Sequence, residues 1–399
     1  FASRFASAGS LSAFTEMGLG RAAGSMAGWC YAVAMIFVVT SSAVSCAYYV
    51  VMVIGRFSTV ASGPTASLAI TVVVVLAAWW PSHRDIKLST KIMLTAEVLS
   101  ALLIVAIIAM GLAASHEWVD RSQLSLKGFG FGQLRLGFVL AFMTLAGFES
   151  AASLGEESTT AVRTLPRVML SCILPVAVLF LLSIYAMTAL SHSRSLALDQ
   201  TDAPIDMIAQ SIGHPVLGWL SSLGVATSCF GCALGAFNAG SRMLYSMARS
   251  GQIPGALAGI HLRNGTPYRA LAALAVFAAL VPCVMVAMGV SMADSMDYLM
   301  QIASFGFLGS YFAVAVAAPS FLAREGQLTV ARICISAISI MVIGGVLFMS
   351  VIPAPAGPWK FLPYVFSAMI GCGMLLSSRR PNSRPLMDEG TANESGPAL

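Results

Sequence analysis

The chain has 399 residues, 58% hydrophobic and only 10% charged, with mean hydropathy +0.84 and a formal net charge of +5. A soluble domain carries about 25% charged residues, so the solvent of this chain must be lipid rather than water. The basic residues are dispersed rather than gathered on one face, which argues against a nucleic-acid partner.

The sequence opens on Phe1, and its first methionine is Met17. No cleavable signal pattern is present. The run FASRF reads as the tail of a helix already under way, so the expectation is a fragment, or a gene whose start is lost.

A helix needs about 20 apolar residues to cross the bilayer core. Ten spans are predicted, near Ala27 to Ile54, Thr65 to Trp80, Ile92 to Ala114, Leu136 to Gly155, Val168 to Leu190, Val216 to Ala248, Ala270 to Val290, Tyr298 to Leu322, Ile333 to Ile352 and Pro358 to Ser377. The longest connections run from His116 to Arg135 and from Ser191 to Pro215, too short for a soluble domain. The organisation predicted is one all-α, polytopic membrane domain over residues 1–378, with a disordered tail over 379–399 that is rich in Pro, Ser, Asn and Gly.

Lys and Arg placement orients the spans. Alternating through ten spans, the side holding Arg4 and Arg21 collects 16 of the 22 basic residues. The other side collects 6: Arg56, Arg121, Lys127, Arg135, Arg194 and Lys360. The richer side reads as the cytoplasm and holds both ends of the chain, in a multi-pass protein of the cell inner membrane. Glu117, Asp120, Asp199, Asp202, Asp206, Asp294 and Asp297 fall outside, as solvated loop faces or as a vestibule that attracts cations.

The cysteines all lie in apolar stretches, where a thiol behaves as a small hydrophobe. Cys229 and Cys232 form a C-x-x-C at lipid depth, which reads as packing. The five histidines fall in connections without i, i+4 pairing, so no metal site is predicted. GFGFG at Gly128 to Gly132 leads into a span instead of following a strand, and no Walker motif is present. No cofactor is expected, and no nucleophile–base cluster within the spans suggests an enzyme.

Ionisable groups inside spans are costly and therefore functional candidates. Glu97, Glu149 and Arg242 stand out. Glu149 lies in LAGFESAASLGEES, where Gly147, Ser150, Ala151, Ala152, Ser153 and Gly155 are all small. Such a run weakens a helix. It marks either a broken helix whose bare backbone lines a cavity or a close helix–helix contact.

Four ordered blocks carry a resemblance. GFESAASLGEESTTAVRTLPRVML resembles the sixth-helix signature of the amino acid–polyamine–organocation permease superfamily. FGCALGAFNAGSRMLYSMARSGQIPGALAGIHLRNGTPYRAL is similar to its eighth helix and following loop. RFASAGSLSAFTEMGLGRAAGSMAGW resembles the link between its second and third helices, and HRDIKLSTKIMLTAEVLSALL the start of its fifth. The similarity covers nearly the whole chain and is specific for the superfamily, not for a substrate.

The resemblance implies a five-plus-five inverted-repeat transporter fold. The ten spans would be the third to twelfth of the family's twelve helices, with the first and most of the second missing. It implies secondary transport of an amino acid or polyamine by alternating access, proton-coupled or by exchange. Gly147, Phe148, Glu149, Ser150 and Ala151 would form the retained half of a substrate site at mid-membrane. Glu149 would attract an amine, or instead fix the broken helix. Glu156, Glu157 and Arg242, with Arg163 and Arg167, would form an inner-gate charge network, the bland counterpart being ordinary interfacial snorkelling. Glu97 lies where some relatives carry a coupling lysine. This chain has none inside that helix, so Glu97 would carry a proton itself or serve structurally. The alternative function is a non-transporting sensor or an inactive remnant.

Overall fold

The computed structural model describes residues 10–57, 63–84, 86–115, 161–261, 264–352 and 357–378 and, within 116–150, residues 119–123, 125, 130, 132, 137–138, 141–142 and 144–150. The described residues contain eleven α-helices and no strand. They are α1 (Ser10–Leu19), α2 (Arg21–Ile54), α3 (Pro64–Arg84), α4 (Ile86–Ser115), α5 (Ala161–Arg194), α6 (Pro204–Ser211), α7 (Pro215–Arg249), α8 (Tyr268–Ala287), α9 (Met292–Arg324), α10 (Val330–Val351) and α11 (Leu362–Ser378).

Among the described residues, nine helices are long and apolar enough to cross a membrane: α2 to α5 and α7 to α11. They coincide with nine of the ten predicted spans. The tenth, Leu136 to Gly155, is described only in part, and the tail after residue 378 lies outside the described residues. With apolar side chains on nearly all sides, these helices satisfy their backbone internally, as lipid demands. Hydroxyls inside them do the same. Thr40 Oγ1 donates to the Ile36 carbonyl at 2.8 Å, and Ser304 Oγ to the Met300 carbonyl at 2.8 Å.

The centre of the bundle is α2, which packs against both α7 and α9. Its 34 residues extend about 50 Å at 1.5 Å each, more than the ~30 Å of hydrocarbon. Small residues let its neighbours come close. A Cβ on Gly306 of α9 would lie 2.5 Å from the Cys30 carbonyl oxygen of α2, so this crossing requires glycine. Ser41 Oγ of α2 donates to the Met296 carbonyl at 3.0 Å and ties the same pair again.

Two helices were not among the predicted spans. α1 turns into α2 at Gly20, whose φ is +86°, and Ser12 Oγ donates back to the Gly24 carbonyl at 3.0 Å. α6 sits within the 191–215 connection and starts on Pro204. Asp206 of α6 is 5% exposed and paired with Arg56 just past α2. Tyr49 Oη donates to the Asp202 carbonyl at 2.7 Å, so this connection is strapped to the end of α2. At the other end of the bundle, Asn264 Nδ2 and Thr266 Oγ1 donate to the His83 carbonyl at 2.9 and 3.2 Å, capping α3.

Candidate functional site

Helical structure stops at Gly147. Residues 144 and 145 are helical, 146 and 147 turn, and 148–150 form a single 3₁₀ turn. Gly147 has φ +107°, a conformation L side chains avoid. A Cβ there would meet nothing within 4 Å, so the demand for glycine is conformational and not steric. The Ser150 N–H donates to the Gly147 carbonyl at 3.1 Å, and this bond closes the turn.

The turn is held by its own acid. Gly147 N–H donates to Glu149 Oε2 at 3.1 Å and to Tyr311 Oη of α9 at 3.2 Å. The Tyr311 hydroxyl in turn donates to Glu149 Oε2. These three groups close a triangle in which each has a partner. Glu149 is 1% exposed, and its second oxygen, Oε1, has no hydrogen-bond partner among the described residues. The Tyr31 hydroxyl of α2 lies beside Glu149 and Ser150.

Aromatic rings fix the tyrosine. Tyr311 meets Phe142 at 6.0 Å, Phe148 at 5.7 Å and Phe307 at 5.9 Å between ring centroids. Phe307 also meets Tyr31 edge-on at 6.2 Å. Such tilted pairs add roughly 0.5–1.5 kcal/mol each beyond the burial of their area.

Glu149, Phe148 and Tyr311 face a cavity of about 610 Å³. Its remaining wall is apolar, with Met169 and Ile173 of α5, Val314 of α9 and Ile343 of α10 among its members. Among the described residues Ser339 is the only other polar side chain in that wall. The geometry provides one buried carboxylate oxygen and a turn of irregular backbone beside a large hydrophobic space.

The remaining predicted residues lie elsewhere. Glu97 is on α4, exposed, and accepts from the Ser228 hydroxyl of α7 at 3.1 Å, outside the cavity wall. Arg242 is on α7, half-buried, and its Nη1 donates to the Asn238 carbonyl one turn back at 3.2 Å. Ala151, Glu156 and Glu157 lie outside the described residues. The prediction missed Tyr31 and Tyr311. Each is a phenol in a largely apolar run, and a buried hydroxyl needs a partner. That was the available signal, but nothing in it names the partner.

The amino acid permease family model matches residues 1–375. The chain belongs to the amino acid permease family. Together with the nine apolar helices, this makes it a multi-pass membrane protein. It is 24% identical over 248 residues to the branched-chain amino acid permease BcaP of Bacillus subtilis, covering 61% of this chain and 50% of that protein. Against BcaP of Lactococcus lactis it is 26% identical over 227 residues, 57% of this chain and 46% of that one. The human Asc-type amino acid transporter 1 is 27% identical over 218 residues, 52% of this permease and 40% of the human protein. The chain spans about half the length of the relatives it matches.

Proposed function

We propose that this permease is a secondary carrier that moves an amino acid with an apolar side chain across the cell inner membrane by alternating access. The observation that carries the reading is the turn at Gly147, with buried Glu149, whose Oε1 has no partner among the described residues, in the wall of an apolar cavity of about 610 Å³. A buried carboxylate with no opposite charge beside it costs several kcal/mol, even when one of its oxygens is hydrogen-bonded. The substrate's ammonium group supplies that partner, and irregular backbone at the break supplies further contacts. The apolar wall receives the side chain.

The same wall speaks against a polyamine. A polyamine brings at least two ammonium groups, and among the described residues Glu149 is the one acid in the wall. A second ammonium would be buried unpaired. The relatives named for branched-chain amino acids agree with an apolar substrate. Coupling is to a proton or to exchange of a second solute. Glu149 between substrates, Glu97 on α4, and Glu156, Glu157 and Arg242 toward the inner side are the groups assigned to coupling and gating. The excess of Lys and Arg on one side of the spans supports a cytoplasmic position for both ends of this chain.

The test is uptake into liposomes. A panel of radiolabelled amino acids and polyamines is offered under a proton gradient and under counterflow. Uptake of leucine, isoleucine or valine, lost in Glu149→Gln, supports the reading. Polyamine uptake without amino acid uptake, or no uptake under either gradient, removes it.

A further inference from the structure

A second hollow of about 240 Å³ lies between α2, α8 and α11, away from the Gly147 turn. Its wall includes Trp29 and Ile36 of α2, Leu257 of the 3₁₀ turn Gly255–Ala258, Ala273 and Phe277 of α8, and Leu376 of α11. Among the described residues the indole N–H of Trp29 is the one side-chain donor in that wall. It is already engaged by Ser377 Oγ at 2.9 Å. A polar solute would find no partner in this wall, whereas a hydrocarbon chain needs none. Trp29 and Ile36 are two helical turns apart, so the slot runs roughly 10 Å along the bundle. Ala273 and Leu376 are exposed, which opens the slot sideways toward lipid.

One end of the slot is charged. Arg269, Ala273 and Phe277 follow at i, i+4 and i+8, so they share a face of α8. Arg269 is exposed. Its Nη1 donates to the Ala256 carbonyl at 3.2 Å, next to slot-lining Leu257, and its Nε to Tyr268 Oη at 2.9 Å. These bonds use two of the five N–H groups of a guanidinium. Trp29 and Tyr268 put aromatic rings at the same end, as interfacial residues do.

We propose that this slot is a binding site for an anionic phospholipid, with one acyl chain between α2, α8 and α11 and the phosphate on Arg269. Any groove in a membrane is wetted by lipid, but a bulk lipid is indifferent to its headgroup. This site is not indifferent, because its mouth carries one fixed positive charge.

Photo-crosslinking of the full chain in nanodiscs decides the matter, using phosphatidylglycerol or phosphatidylcholine with a diazirine in the tail and peptide mapping of the adducts. Expected are adducts on peptides holding Trp29 to Ile36 and Leu257 to Phe277, with phosphatidylglycerol ahead roughly fivefold, the effect of one basic residue near a headgroup. Arg269→Gln brings phosphatidylglycerol down to the phosphatidylcholine level, Arg269→Lys keeps the preference, and Ala273→Trp fills the slot and removes both adducts. Equal labelling by the two lipids, or a preference that survives Arg269→Gln, means bulk lipid only and overturns the proposal. Should Ala273→Trp aggregate on size exclusion, the Arg269 pair decides alone.

Discussion

Tyr311 of α9 and Glu149 of the Gly147 turn are 162 positions apart and share a hydrogen bond in the buried wall of the cavity. Glu149 accepts there with Oε2, and its Oε1 is left without a partner among the described residues. Removing the tyrosine hydroxyl leaves the acid in place but unaimed. A hydrogen bond to a charged group is worth about 1.5–3 kcal/mol. Tyr311→Phe is therefore expected to slow amino acid uptake by roughly 10- to 100-fold, with the protein still folded. Combined with Glu149→Gln, its effect should be far from multiplicative, since the two residues act as one unit. Initial rates of the two single variants and the double variant check this.

Gly147 should tolerate residues by their backbone preference and not by their size. Its φ is +107° and the space beside it is open. Forcing an L residue into such a conformation costs about 1–3 kcal/mol. Gly147→Ala and Gly147→Val should both lower the melting temperature and uptake, to a similar degree. A much larger loss for valine would mean that space, not backbone conformation, selects glycine.

At the α2–α9 crossing the order reverses. A Cβ on Gly306 would press on the Cys30 carbonyl oxygen at 2.5 Å, whereas one on Gly345 of α10 would meet nothing within 4 Å. Overpacking of this kind costs about 1–3 kcal/mol. Gly306→Ala is expected to reduce the melting temperature in detergent and the yield of monodisperse protein, and Gly345→Ala to change neither.

The Arg56–Asp206 pair holds α6 to the end of α2. Asp206 is 5% exposed and its Oδ1 has no other partner among the described residues. Arg56→Gln strands a buried charge, at a cost of about 3–5 kcal/mol. The double variant Arg56→Gln/Asp206→Asn should be more stable than Arg56→Gln alone. Thermal unfolding of the two variants in detergent checks the order.

Asp120, in the connection after α4, gives a pH dependence. Bonds from Ser122 first, then His192 and Gln123, hold its carboxyl well below the ordinary 3.8. A lowered acid stabilises the fold above its unfolded value, and that contribution is lost as pH falls through the lowered one. Above pH 4 this connection should resist limited proteolysis near Arg121, and it should open as acid is added. Asp120→Asn should cut readily at neutral pH and show no further change on acidification.

The spans were legible in the sequence because lipid imposes one demand on every turn of a crossing helix, and composition answers it. The interruption at Gly147 was only half legible: the small, flexible residues around Gly-Phe-Glu-Ser fit a broken helix and a close helix contact equally well, and the positive φ of Gly147 separates the two. What holds the interruption was not. Tyr311 sits in FGFLGSYFAVAVA beside Ser310 among apolar residues, and its partner is in a distant turn. α6 was missed because eight residues at the end of the bundle carry too short a pattern to separate from a loop. The Gly306–Cys30 approach was hidden for the same reason as Tyr311, since a glycine in a membrane helix does not announce which neighbour it admits.

The two oxygens of the acid at the Gly147 turn are in different states. Oε2 is engaged by the Gly147 N–H and the Tyr311 hydroxyl, whereas Oε1 is buried with no hydrogen-bond partner among the described residues. A cation that reached the second oxygen would meet a carboxylate already oriented by the first, so its arrival would not require the turn to rearrange.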